Sequence, residues 1–170
     1  MGDLGPGGGT VFYDAGSRQS WGRYLEVAPR GWFGTTEDPL VPWCPKGNPG
    51  WNSTVGVTSE RIGMGRTNTE RILRKCGSSA AAGRAYIYQG GGKKDWFLPS
   101  AYELSALLDA SFGLNAIKKG DLTDQKFDQS YSYWSSYEWN ARQAEGHPAG
   151  GTSRLIEKNI PGRVRPIRAF

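Results

Sequence analysis

Apolar positions along this chain recur at two different periods. Thr10-Val11-Phe12-Tyr13 and Tyr24-Leu25-Glu26-Val27-Ala28 are short β-branched and aromatic runs, the first ended by Asp14-Ala15-Gly16 and the second by Pro29. They predict two strands joined as a hairpin through a turn at Ser17 to Gly22. Further on the period lengthens. Leu104, Leu107, Leu108 and Phe112 fall at i, i+3, i+4 and i+8, one face of a helix that Ser100 and Glu103 open as a capping box and Gly113 stops. A shorter helix is predicted to run from Asn68, as N-cap, to Cys76. Gly77 is its C′ residue, Arg74 and Lys75 lie in the last turn where the dipole favours cations, and Ile72, Leu73 and Cys76 share its buried face. Ser78 to Gly83 reads as a small-residue continuation or a second short turn. Gly31 to Gly65 reads as a long loop anchored by Trp32, Phe33, Trp43 and Trp51 as satellite core, and Ile117 to Gln129 as polar loop. Arg163 to Phe170 predicts a C-terminal strand. Helices and short strands in this mixture indicate an α+β fold.

One segment keeps neither period. Between the aromatic run of Tyr131, Tyr133 and Trp134 and the strand at Arg163, the residues Tyr137, Trp139, Arg142, Gln143, Glu145, His147, Pro148, Arg154, Leu155, Ile156, Ile160 and Pro161 mix every chemical type. Recognition patches concentrate their energy in a few Trp, Tyr and Arg residues, and Tyr137, Trp139, Arg142 and Arg154 supply those types. This segment is the expected site of recognition.

A length of 170 residues fits one domain, 1–170, able to bury a core without staples. With 25 Gly and 10 Pro but only 37% hydrophobic residues, the chain needs its 7 Trp and 8 Tyr to supply apolar area, so a core built on aromatics is expected. The net charge of +5 permits a polyanion partner. The cations, however, are dispersed, with Lys93-Lys94 and Lys118-Lys119 the adjacent lysine pairs, and a solvated basic surface is the plainer reading. No stretch is long and apolar enough to span a membrane, and Met1-Gly2-Asp3 is not followed by a signal-peptide core, so a soluble chain without direct membrane insertion is expected.

Candidate chemistry is sparse. The glycines at Gly5-Pro6-Gly7-Gly8-Gly9 run into a strand rather than a helix N-terminus ending in Lys, which excludes a phosphate loop. His147, between Gly146 and Pro148, has no Ser or Cys in a nucleophile setting, so no catalytic residue is assigned. A single His leaves no four-ligand zinc set, and the dispersed acidic residues do not form a calcium cluster; neither metal nor other cofactor is expected. Cys44 and Cys76 fit one disulfide, a reduced pair or two unrelated buried thiols.

Several stretches together resemble one family. Gly5 to Tyr13, Trp21-Gly22-Arg23-Tyr24-Leu25-Glu26-Val27-Ala28-Pro29, Thr67-Asn68-Thr69, Cys76-Gly77, Asp95-Trp96-Phe97-Leu98-Pro99-Ser100, Glu103-Leu104, Tyr133-Trp134-Ser135-Ser136 and Val164 to Phe170 look like the C-terminal domain of Lcl-type collagen-like surface proteins, in the same order and over nearly the whole chain. The resemblance implies a C-type-lectin-like fold with two helices, short antiparallel strands, neighbouring N- and C-terminal strands and long loops presenting a binding surface. That fold also houses formylglycine-generating enzymes, which use a closely placed cysteine pair. Cys44 and Cys76 lie in framework stretches, and structural use is expected of them. Neither the Glu-Pro-Asn nor the Trp-Asn-Asp motif of calcium-binding lectins occurs.

The chain also resembles variable proteins diversified by retroelements, whose adenine-directed mutagenesis rewrites Asn-type codons near the C-terminus. Tyr133-Trp134-Ser135-Ser136 is followed by heterogeneous positions interrupted by Glu138, Ala141, Ala144, Gly151 and Ser153, then by Lys158-Asn159. Tyr, Arg, His, Pro, Leu and Ile are reachable from an Asn codon by changing adenines, whereas Trp139, Gln143 and Glu145 need other adenine-containing codons. The resemblance therefore implies a variable region over 137–162, with Tyr137, Trp139, Asn140, Arg142, Gln143, Glu145, His147, Pro148, Arg154, Leu155, Ile156, Ile160 and Pro161 as its ligand-binding residues. Trp134 is expected in the core, Tyr137 and Trp139 at the surface. A family strand after Ala144 is replaced by Glu145-Gly146-His147-Pro148-Ala149-Gly150, poor in strand formers, which reads as a degraded strand or as loop. The expected function is non-enzymatic binding of a macromolecule through protein–protein contact, with protein ahead of glycan and nucleic acid disfavoured. The alternative is a sulfated-glycan or nucleic-acid module using Arg163, Arg165 and Arg168 with nearby aromatics. Cell-surface or secreted placement would follow from a larger exported protein, and cytoplasmic placement from fusion to an intracellular effector.

Overall fold

A computed structural model describes residues 1–111 and 127–170. Phe112 and Gly113 of the long helix, Lys118-Lys119 and most of the Ile117 to Gln129 loop fall outside the described residues. The first hairpin joins β1 (Thr10–Gln19) to β2 (Gly22–Val27). β1 does not end at Asp14-Ala15-Gly16. Its register with β2 shifts between Asp14 and Gln19, and Gly16 takes a φ of 76° while its N–H donates to Asp14 Oδ1 at 2.8 Å. The breaker residues make a bulge inside a longer strand.

Two sheets result. β8 (Ile167–Ala169) pairs antiparallel with β2, giving the order β1-β2-β8. The second sheet contains β3 (Leu40–Pro42), β4 (Ser132–Glu138), β5 (Gln143–Pro148), β6 (Arg154–Glu157) and β7 (Pro161–Arg163), in the order β3-β7-β4-β5-β6. The single strand expected over Arg163 to Phe170 is thus two. Val164-Arg165-Pro166 carries the chain from one sheet to the other, with Pro166, which has no N–H for a ladder, at the crossing.

Helix α1 (Gly65–Cys76) begins three residues before the predicted cap. Asn68 is not a cap but a buried helical residue whose amide donates to Ser59 O at 2.9 Å and to Ser136 Oγ at 3.2 Å. Ile72 and Cys76 are buried as expected, while Leu73 is only half-buried. Helix α2 (Ala81–Ile87) takes in Ala81 to Gly83 of the small-residue stretch, Ser78 to Ala80 being turn, so the described residues hold three α-helices where the resemblance implied two. Helix α3 (Ala101–Ser111) keeps its capping box. Ser100 N–H donates to Glu103 Oε2 at 2.7 Å, Glu103 N–H donates to Ser100 Oγ at 3.3 Å, and Leu104, Leu107 and Leu108 are buried. The chain is α+β, and no described helix is long and apolar enough to cross a membrane.

Strand alternation divides the interior into two cores. On β4, Tyr133 enters a cluster with Phe12, Leu25, Phe97, Leu104 and Ile167, while its neighbour Trp134 enters the other with Trp43, Ile72, Ala144 and Val164. Of the loop aromatics, Trp43 is fully buried, Trp32 and Trp51 pack against that second core, and Phe33 is exposed. Cys44 and Cys76 form a disulfide across a separation of 32 residues, a closure worth ~2–4 kcal/mol. The Gly5–Gly9 loop does cradle an anion, but an internal one. Gly7 and Gly9 donate N–H groups to the buried Glu26 carboxylate, which Arg168 pairs at 2.8 Å. A Cβ on Gly9 would collide with the Val27 carbonyl.

Candidate ligand-binding surface

The β4–β5 hairpin places the aperiodic residues. Its tip is an Asx turn in which Asn140 Oδ1 accepts the N–H groups of Arg142 at 2.8 Å and Gln143 at 2.9 Å. Trp139 stands 56% exposed there, and Arg142 reaches across to Asn52 Oδ1 at 3.2 Å. Glu145 to Pro148 is neither a degraded strand nor a loop. It forms the body of β5, which pairs with β4 and β6 on its two sides. Poor strand formers are carried here by two neighbours, which is how context overrides propensity.

Because β5 is a regular strand, the predicted residues split between its two faces. Glu145 is paired with Leu155 and Gln143 with Glu157, so these four share one face with His147. His147 Nε2 lies 2.8 Å from Glu145 Oε1. On this side, Tyr102 of α3 and Tyr137 of β4 both lie near the Glu60 carboxylate. The Glu60 carboxylate raises the Tyr102 phenol above its ordinary pKa, while burial followed by the Glu60 carboxylate raises that of Tyr137, and the Glu145 charge adds to both. Tyr137, expected at the surface, is 9% exposed: it is a wall of this cluster rather than a free contact residue.

The opposite face carries Arg154 and Ile156, with Ile160 following in the turn and Pro161 opening β7. Pro148 is buried, its ring forming one side of a depression rather than an exposed contact. Among the predicted residues, Trp139, Asn140, Arg142, Arg154, Leu155, Ile160 and Pro161 are exposed, and Gln143, Glu145, His147 and Ile156 half-buried.

Of the framework positions expected between them, Gly151 and Ser153 are exposed and Ala141 and Asn159 half-buried, whereas Glu138 and Lys158 are buried for a definite reason. Glu138 accepts N–H groups from Val55 at 2.8 Å and Gly56 at 2.8 Å, and it pairs with Lys158 Nζ at 2.5 Å. Lys158 donates in turn to Gly50 O and Ser53 O and lies 5.1 Å over the Trp43 ring. Burial pulls the Lys158 ammonium below the usual lysine range, against the opposing Glu138 carboxylate. Two charges from the aperiodic segment thus fasten the 50–57 loop beneath the sheet.

The C-terminal arginines are occupied internally. Arg165 is buried against Asp38 at 2.7 Å, Arg168 bridges Glu26 and Asp95, and Arg163 pairs with Asp128 at 2.5 Å. A polyanion site built on these three groups would have to break those pairs. Sequence reading did not find Glu60, Tyr102, Asn52 or Tyr131 as neighbours of the surface. They lie outside 137–162, and no local pattern marks them; only the sheet and α3 bring them close. A scan against protein-family models and a search of curated proteins return no match to this chain. The surface is read from its own chemistry.

Proposed function

We propose that this protein is a non-enzymatic, ligand-binding variable protein with a C-type-lectin-like fold, whose surface over 137–162 is diversified by a retroelement to engage a protein ligand. The observation that carries the reading is the sorting of this segment. Of the positions expected to stay constant, Glu138, Ala144 and Lys158 are buried while Ala141, Gly151, Ser153 and Asn159 are not, and of the positions expected to vary, Trp139, Asn140, Arg142, Arg154, Leu155, Ile160 and Pro161 project to solvent while Tyr137 and Pro148 are buried. Such sorting lets side chains change without changing the core, since exposed substitutions away from special features shift stability by no more than about 0.5 kcal/mol. The exposed set also contains the Trp and Arg types that dominate recognition. Pairing of β8 with β2 brings the two chain ends into one sheet, as the resemblance implies.

The sulfated-glycan and nucleic-acid alternative is weakened by the internal pairing of Arg163, Arg165 and Arg168. Two measurements test the proposal. A near-repeat of the coding sequence for 137–162, differing only at adenines and beside a reverse-transcriptase gene, is expected in the genome. Trp139→Ala, Arg142→Ala and Leu155→Ala combined should leave the melting temperature nearly unchanged and lower affinity for a selected protein ligand by about 30-fold or more. Unfolding of that triple variant would place those residues in the core and overturn the reading.

A further inference from the structure

The face bearing Arg154 contains a depression of about 220 Å³, walled by Tyr131, Pro148, Ile156, Ile160 and Pro161. It exists because the strands crossing beneath it carry little. Gly146 has no side chain, so Ile156 leans across it, with Cδ1 3.0 Å from where a Cβ would stand, and Ser132 and Gly162 add only small groups. Arg154 stands on the rim, exposed, and its guanidinium has no ion-pair or hydrogen-bond partner among the described residues. The other nearby cation, Arg163, is held by Asp128 and lies 5.1 Å over the Tyr131 ring, fixing that wall.

We propose that this depression is the anchor pocket of the surface. It takes one aliphatic or aromatic side chain of a partner polypeptide whose adjacent residue is Asp or Glu, the carboxylate being held by Arg154. The inference rests on the ligand-binding reading above and specifies its partner. Three magnitudes select this occupant. The volume falls below the roughly 300–1,000 Å³ of small-molecule sites, and so suits a single inserted side chain. The lining joins the rings of Tyr131, Pro148 and Pro161 and the branched Ile156 and Ile160 to the polar Gln129, Ser130 and Ser132, so an inserted apolar side chain meets apolar walls with hydrogen-bonding groups beside them. One unpaired guanidinium, whose planar fork matches a carboxylate, supplies one anion contact. A nucleic-acid or sulfated-glycan chain needs a track of several free cations, and the arginines nearest this face in sequence are already paired.

The test is selection of a randomised peptide library displayed on phage against the intact protein, followed by affinity measurement on the enriched peptides. Enriched sequences should share an apolar residue beside Asp or Glu. Their affinity should fall about tenfold or more on Arg154→Ala and on Ile160→Asp, both exposed positions, with melting unchanged. Arg154→Glu should instead select peptides carrying Lys or Arg at the acidic position. Peptides lacking the apolar–acidic pair, or insensitive to Arg154 and Ile160 while lost on Trp139→Ala, would overturn the pocket and leave the wider surface standing. Peptides insensitive to all three positions would overturn both. Failure to enrich any peptide, or binding of a heparin oligosaccharide that Arg154→Glu abolishes, would overturn the polypeptide assignment.

Discussion

Lys158 shows what a charged side chain does when it has no water. Its ammonium is fully buried and shared among Glu138, two carbonyls and the Trp43 ring, so removing it leaves a carboxylate buried without its counter-charge. Lys158→Met should cost about 3–5 kcal/mol in urea unfolding, the range for breaking one side of a buried pair. Glu103 makes the complementary case. Burial pushes its carboxyl up from 4.5 to about 7, against the N–H donors of Ser100, Gly63 and Gly65. Its folded pKa exceeds its unfolded one, so the unfolded chain gives up the proton first as pH rises. The stabilising contribution is fully present below about 4.5 and is lost as pH rises through about 7. Melting temperature should therefore fall between those pH values, and Glu103→Gln should flatten the fall. An unchanged slope in that variant would show that another group titrates.

At the scale of elements, α3 is the clearest test of packing. Leu104 and Leu107 are fully buried between the helix and the β1–β2 hairpin, and each change to Ala should cost about 2–5 kcal/mol, read from denaturation midpoints. This helix was legible in the sequence because its determinants are local: the capping box runs only from Ser100 to Glu103 and the leucines repeat along one face. The start of α1 was not legible, since the amide of Asn68 finds Ser136 from the other end of the chain. β5 was hidden for a related reason, as its residues become a strand only between β4 and β6. The same regularity explains the misplacement of Tyr137. A composition argument can say that a segment is built for contact, but which face of a strand each side chain takes depends on a register fixed by distant partners.

Across the whole molecule, the 21 Lys and Arg overstate the number of free cations, because Arg165 and Arg168 of the C-terminal segment are paired with buried acids. Arg165→Met should destabilise by about 3–5 kcal/mol by stranding Asp38, while leaving the salt concentration for elution from immobilised heparin unchanged. Earlier elution with an intact fold would assign Arg165 to polyanion contact instead. The pairing of β8 with β2 bears on synthesis as well as on stability. The edge of β2 stays open until Ile167 to Ala169, far along the chain from the hairpin, has been made and docks there. A substitution at exposed Trp139, Arg142 or Leu155 touches none of that pairing, whereas a stop codon or frameshift between Tyr137 and Gly162 removes it. A chain truncated there carries an unpaired β2 edge, a template for aggregation.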